Sequence, residues 1–511
     1  MKRIVVITIA VILSLPFVAD AQNITQTRRE ALLEYNQRRR KDMLEYRDNY
    51  RRAVADYMRK RWEAVNVESP MAMPQRKEPV EPVVKKPTAT THDAEERIAT
   101  EEIIDLREPA TPEQPATPKQ IPQEPTSKPA TPNQPTRDTK QDMASAPKSA
   151  VNRSRALPFM FYGTECSVSL NSTHRIRLAS LQENVVAAEW EKIASGKYDT
   201  LVGECLDIKK ALVLNDWGYY MLVRNVCDKF CGEGSNESVL LQSFLMSEAG
   251  YKMRLARGDN RLCLLLAVDT RVYAKPYFTI SGDTFYLLDN RTSATSYNIC
   301  NFSIPGEREL SMTMHNLPQL SYRAATPMTR SDSKTQTSVM VTPNANLADF
   351  MSDYPACSWE VYAATKLSES TAVALYPTLG RMIEGKSDVE AVGLLMSFMH
   401  NAFPYKTDPQ QFGSERTLFA EEMFVYKYSD CEDRSILFAR LVKELVGLDV
   451  ILLNYPDHIA TAVHFNESVK GDYVELRGER YTVCDATYIG SKVGEAMPEF
   501  RGVSAKIIRV N

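Results

Sequence analysis

The chain has 511 residues with 43% hydrophobic and 25% charged residues, a balance that lets it bury a core and suggests about three domains. A formal charge of −3 excludes a strongly basic nucleic-acid binder, so no nucleic-acid partner is expected. Nine cysteines are too few for a disulfide scaffold and form an odd set.

The N-terminus reads Met1-Lys2-Arg3, an apolar run from Ile4 to Val18 containing Pro16, then Ala19-Asp20-Ala21. This is the pattern of a signal peptide over 1–21, and the run is shorter than the ~20 residues of a spanning helix. The expectation is a secreted or periplasmic protein with no transmembrane helix, in a compartment where disulfides are allowed. Residues 22–66 predict a basic amphipathic helix. Between 28 and 65 there are twelve Arg or Lys against seven Asp or Glu, with neither Gly nor Pro, and Met43, Tyr46, Tyr50, Val54, Tyr57 and Trp62 recur at helical spacing. Two readings of 28–65 compete: a solvated, ion-paired helix, which charge runs usually are, or a contact with the envelope or a partner helix. Fifteen of the 28 prolines lie between Pro70 and Pro147, and Pro-Ala-Thr-Pro recurs at Pro109, Pro115 and Pro129. Residues 67–155 are therefore expected to be a disordered, polyproline-biased tether, with one short helix around Asp93 to Arg107.

The remainder is globular in texture and contains a candidate duplication, 156–330 and 345–511. In the later part, an amphipathic helix from Asp388 to Phe403 precedes Asp430-Cys431-Glu432-Asp433-Arg434-Ser435. A second helix then ends near Gly447, and four strand-like runs follow: Asp449–Leu453, His458–Phe465, Asp472–Leu476 and Arg480–Asp485. In the earlier part, Asn215–Val226 and Ser238–Ala249 are helix-like, Gly250 is the stop, and strand-like runs follow at Tyr251–Ala256, Leu262–Asp269, Tyr277–Ser281 and Phe285–Asp289. Counted from the stop glycines, Ser235, Arg261 and Asp289 stand roughly where Cys431, His458 and Asp485 stand. Arginine is no base at neutral pH, so the earlier copy is expected to be catalytically degenerate.

Cys431, His458 and Asp485 are the candidate catalytic set. A thiol needs an imidazole to hold it as thiolate, and the imidazole needs a carboxylate to fix its tautomer. A helix beginning at Cys431 favours the thiolate, whereas Asp430, Glu432 and Asp433 oppose it unless they point away or pair, for instance with Arg434. His464 is a rival base six residues from His458, and Cys484 is expected to be core. The oxyanion donor defaults to the Cys431 N–H. Disulfides are expected among Cys166, Cys205, Cys227, Cys231, Cys263 and Cys300. No cofactor motif or metal-ligand spacing occurs, so neither cofactor nor metal is expected.

Asp430-Cys431-Glu432-Asp433-Arg434-Ser435, the strand led by His458, and Cys484-Asp485-Ala486-Thr487-Tyr488 together resemble the motifs of the transglutaminase-like superfamily. Ala486 replaces the usual Pro of its Asp-Pro-Thr motif. The likeness covers about Asp388 to Pro498 and is nearest to bacterial transglutaminase-like cysteine peptidases. It implies an α+β, papain-like fold and acyl transfer through a thioester, on a protein or peptide substrate. That family also contains inactive binding domains, so a non-catalytic envelope scaffold is the alternative.

Overall fold

The structure is a computed structural model. It describes residues 38, 41, 45–73, 98, 100–102, 156–289 and 294–510. The expected signal segment and most of the proline-rich stretch lie outside these residues.

The fold is α+β, with mixed helices and mainly antiparallel sheets. Its earlier half runs through the hairpin β3 (Leu157–Phe161) and β4 (Thr164–Val168), then α2 (Glu183–Ala194), α3 (Asp199–Ala211), α4 (Asp216–Cys231) and α5 (Asn236–Glu248). Five strands follow: β5 (Met253–Gly258), β6 (Arg261–Ala267), β7 (Tyr277–Ile280), β8 (Asp283–Tyr286) and β9 (Ser296–Cys300). The later half repeats the plan. The hairpin β10 (Met328–Asp332) and β11 (Thr337–Val341) leads into α6 (Ala345–Ser352), α7 (Trp359–Ala364), α8 (Glu369–Ile383), α9 (Asp388–Ala402), α10 (Asp408–Phe412) and α11 (Cys431–Leu445). Then come β12 (Asp449–Asn454), β13 (Ile459–His464), β14 (Tyr473–Leu476), β15 (Glu479–Val483) and β16 (Ala505–Arg509).

Two short strands from the N-terminal segment, β1 (Glu63–Asn66) and β2 (Thr100–Glu102), complete the sheets. The spatial orders are β1-β9-β5-β6-β8-β7 and β2-β16-β12-β13-β15-β14, the same order strand for strand, although β1 runs antiparallel to β9 and β2 parallel to β16. Each sheet curls until its edges meet. Beyond β1, the Glu68 N–H donates to Tyr277 O on β7 at 3.0 Å, and before β2 the Ile98 N–H donates to Tyr473 O on β14 at 2.8 Å. The segments carrying β1 with Glu68 and Ile98 with β2 thus each touch both edges of one sheet, which covers part of the exposed strand edge.

Alternation along the strands gives each barrel two apolar faces. Phe278, Phe285, Leu265, Leu287, Tyr297 and Ile299 fill the first interior. Ile98, Leu453, Ala462, Val474, Val483 and Ile507 belong to the second. The outward faces pack under α5 and α11, and the helices of both halves share one continuous core. The hairpins sit alike too: β3 on α4 and β4 on α3, β10 on α9 and β11 on α8.

Three expectations change. The basic helix, α1 (residues 45–58), ends well before 66 and is docked within the chain. Val54, Ala55, Met58 and Trp62 are buried, and Arg51 is bound by Glu248 at 2.6 Å and Asp199 at 2.7 Å. The acidic surface these arginines meet is the chain's own. The tether expected over 67–155 begins with sheet residues, and the helix expected near 93–107 lies mostly outside the described residues, those described at 100–102 forming a strand whose hydrogen-bond partner is β16. All nine cysteines are free thiols, so the expected disulfides are absent; most of these thiols are single core-facing side chains on separate elements.

Candidate functional site

α11 begins at Cys431, capped by Asp430 and held by a reach-back contact in which the Asp430 N–H donates to Asp433 Oδ2 at 3.3 Å. One turn on, Ser435 Oγ donates to the Ile459 carbonyl at 2.9 Å. This bond fixes the first turn of α11 against the start of β13, and His458 is the residue before Ile459. His458 precedes its strand and Asp485 lies two residues past β15, so both occupy strand ends rather than strand interiors. The chain pairs them: His458 Nε2 lies 2.8 Å from Asp485 Oδ2.

Asp485 is held from three further directions. Its Oδ1 accepts from the Thr487 N–H at 2.8 Å and the Tyr488 N–H at 3.1 Å, and its carbonyl lies 2.9 Å from His400 Nε2. Burial alone would raise the pKa of Asp485, but the charge and hydrogen bond of His458 and the Thr487 N–H outweigh it and hold the carboxyl below its ordinary value. An ionised Asp485 fixes the proton on His458 Nε2 and leaves the Nδ1 lone pair as the base. Nδ1 is buried and has no hydrogen-bond partner. The imidazole lies nearly parallel to two clustered rings, 5.0 Å from Phe500 and 6.3 Å from Tyr455. Cys431 is 0% exposed and His458 and Asp485 are 1% exposed, so the site is closed over.

Of the acidic neighbours, Glu432 does not turn away from Cys431, and the charges of Asp430 and Asp433 act on Arg434. Asp408, Asp430 and Glu432 each bring one oxygen to within 4.8 Å of the others, and Cys431 Sγ lies 3.6 Å from Glu432 Oε2. Burial and mutual repulsion push the Asp408 carboxyl up to about 9 and Asp433 up to about 8, and raise Asp430 well above its ordinary value. A buried carboxyl cluster of this kind shares protons or surrounds a hard, oxygen-preferring cation. These three residues are the ones that could hold one.

His464 is excluded as the base by position. It sits at the far end of β13, half-exposed, with Nδ1 3.0 Å from the Arg480 carbonyl and Nε2 3.5 Å from Glu479. Cys484 is core, as expected, and its N–H donates to Thr461 O.

The earlier half carries the same register without the chemistry. Gly250 and Gly447, both at positive φ, end α5 and α11. From there Ala256 pairs with Cys263 as Leu453 pairs with Ala460, and Gly258 pairs with Arg261 as the Tyr455 N–H meets the His458 carbonyl. Tyr286 faces Leu266 as Thr482 faces Val463, and three residues beyond lie Asp289 and Asp485. Arg261 and Asp289 therefore occupy the places of His458 and Asp485. Ser235 is the N-cap of α5, so it matches Asp430, and Asn236 opens that helix as Cys431 opens α11.

Sequence reasoning missed His400, Phe500, Tyr455 and Asp408. Only His400 had a local signal, a histidine in the last turn of an amphipathic helix. No family model, curated protein or solved structure matches the chain.

Proposed function

We propose that the later half is a cysteine acyl-transfer domain of the transglutaminase-like, papain-like kind, and that the earlier half is its catalytically degenerate duplicate. The observation that carries this reading is the His458–Asp485 pair. Its Nδ1 is buried and unpartnered, and His458 directly precedes Ile459, whose carbonyl binds Ser435 in α11. In the reaction, His458 Nδ1 takes the Cys431 proton and Sγ attacks an amide carbonyl carbon. The C–N bond breaks as the imidazolium returns the proton to the leaving amine. Water, deprotonated by His458, then releases the acid and regenerates the thiol. Asp485 orients the ring, and the Cys431 N–H at the start of α11 is the donor for the developing oxyanion. A peptide or protein amide is the substrate class, and an exported enzyme is the reading that the N-terminal segment supports.

Alkylation of the full chain with iodoacetamide at neutral pH tests it. Cys431 should label faster than it does in the urea-unfolded chain, and His458→Ala should abolish the advantage. Labelling no faster than in the unfolded chain, and indifferent to His458, sinks the enzyme.

Two observations favour the second reading, a non-catalytic binding domain: the complete burial of Cys431, and the Glu432 carboxylate beside its sulfur, which favours thiol over thiolate. On that reading Cys431 stays inert in the same experiment.

A further inference from the structure

Arg434 is the fourth residue of α11, three after Cys431. Long side chains on a helix lean toward its N-terminus, so the guanidinium lies over the turn that Cys431 opens. It is 1% exposed. Its Nη2 donates to the Phe403 carbonyl and its face lies 5.3 Å from the Tyr405 ring, but Nε and Nη1 are buried and donate to nothing. Arg330 on β10 approaches from the other side of the same residue, 4.6 Å from the Phe403 ring. Its Nη atoms donate to the carbonyls of Lys427, Met423 and Tyr426, and its Nε is also unpartnered.

Two of the carboxylates near Arg434 are engaged elsewhere, and the third, that of Asp430, makes no hydrogen bond to the guanidinium, its Oδ1 being buried and unpartnered as well. Asp485 accepts from His458, Thr487 and Tyr488, and Asp433 accepts from the N–H groups of Leu418 and Asp430. Burial, ahead of any partial compensation from Tyr405, Asp430, Asp433 and Asp485, lowers the Arg434 pKa to about 10, and burial with the Arg434 charge does the same to Arg330. Idle donors on a buried cation are destabilising unless something accepts from them. A strut to one carbonyl needs only Nη2 and explains neither idle donor.

We propose that Arg434, backed by Arg330, forms a cationic subsite beside Cys431 that receives a negatively charged oxygen of the acyl donor. The proposal rests on the acyl-transfer reading above. The oxygen has two sources: a carboxylate carried by the donor near the scissile amide, as in an acidic peptide, or the carbonyl oxygen as it becomes an oxyanion.

Two probes on the full chain separate them. Iodoacetate and iodoacetamide both form an S–C bond to Cys431 and expel iodide, and differ only in carboxylate against amide. A donor-carboxylate subsite gives a ratio of iodoacetate to iodoacetamide rates at least about tenfold above that of Cys431 in the urea-unfolded chain, as expected for a unit charge nearby in a partly dry site. Arg434→Met should return the ratio to the unfolded value, and Arg434→Lys should keep part of it. With p-nitrophenyl acetate the thiolate attacks the ester carbonyl, a thioester forms and p-nitrophenolate leaves. An oxyanion role slows this acylation about tenfold in Arg434→Met with the alkylation ratio unchanged. A ratio equal to the unfolded value together with acylation indifferent to Arg434 overturns the subsite, while rapid, His458-dependent labelling leaves acyl transfer standing. Slow labelling by every probe overturns both. Far-UV circular dichroism and urea midpoints verify folding; if the Met variant unfolds, Arg434→Lys and Arg330→Met carry the test, each lowering the ratio by a smaller factor.

Discussion

His458 is held by three kinds of force at once: a charged hydrogen bond to Asp485, ring stacking on Phe500 and Tyr455, and exclusion of water. The pairing of His458 with Asp485 was readable in sequence because residues at the ends of neighbouring strands are brought side by side. Phe500 was not, because it comes from the 21-residue connection between β15 and β16, which has no periodicity to read. Replacing Phe500 with Ala should cost about 3 kcal/mol as a cavity and unroof the imidazole. The expected result is faster modification of His458 by diethylpyrocarbonate at a folded baseline; an unchanged rate would show that the ring does not cover it. Asp216 offers a pH test in the earlier half. Burial would raise its pKa, but Arg308, Lys209 and Tyr251 bond it and hold it at about 2. A depressed folded pKa stabilises above the unfolded value near 4 and loses that contribution as pH falls through about 2. Asp216→Asn should therefore lower the urea midpoint at pH 6 and flatten its decline between pH 4 and 2. An Asn variant with the wild-type pH slope would contradict this assignment.

At the scale of elements, the helical stripe of 45–62 was legible but its partner was not. A basic face in a sequence says only that acid lies somewhere, and the structure supplies Glu248, Asp199 and Glu191 on α5, α3 and α2. The bonded Arg51 is almost fully buried, so removing it strands the carboxyl of Glu248. Arg51→Ala should destabilise by about 3 kcal/mol. Limited proteolysis reports the loss as early cuts within 45–62, and protection equal to wild type would reduce α1 to a passenger. The disulfide expectation failed at this scale for a related reason: cysteine counting cannot distinguish thiols that face one another from thiols that each fill a core position. Cys205 and Cys227, for instance, are fully buried apolar filling on α3 and α4.

At the scale of the molecule, the repeat was legible because a duplicated plan leaves matched intervals even where residues diverge. What the intervals could not show is that neither barrel closes by itself. A three-residue strand at 100–102 has no hydrophobic alternation to announce it, and its partner is some 400 positions away in sequence. The segment before residue 156 therefore has two opposite expected roles that truncation separates. A tether can be removed with no effect on the folded part. Strands that seal barrels cannot: without 63–68 and 98–102, β9 and β7 and then β16 and β14 present unpaired N–H and C=O groups, and both interiors open. A chain beginning at residue 156 should unfold at lower urea concentration than the full chain, bind a hydrophobic dye and self-associate through the freed edges. Adding back a peptide of residues 60–104 should restore the midpoint in a saturable way, by occupying in trans the positions β1 and β2 hold in cis. An unchanged midpoint on truncation would mean that the two barrels are stable as open sheets and that the N-terminal strands are decoration.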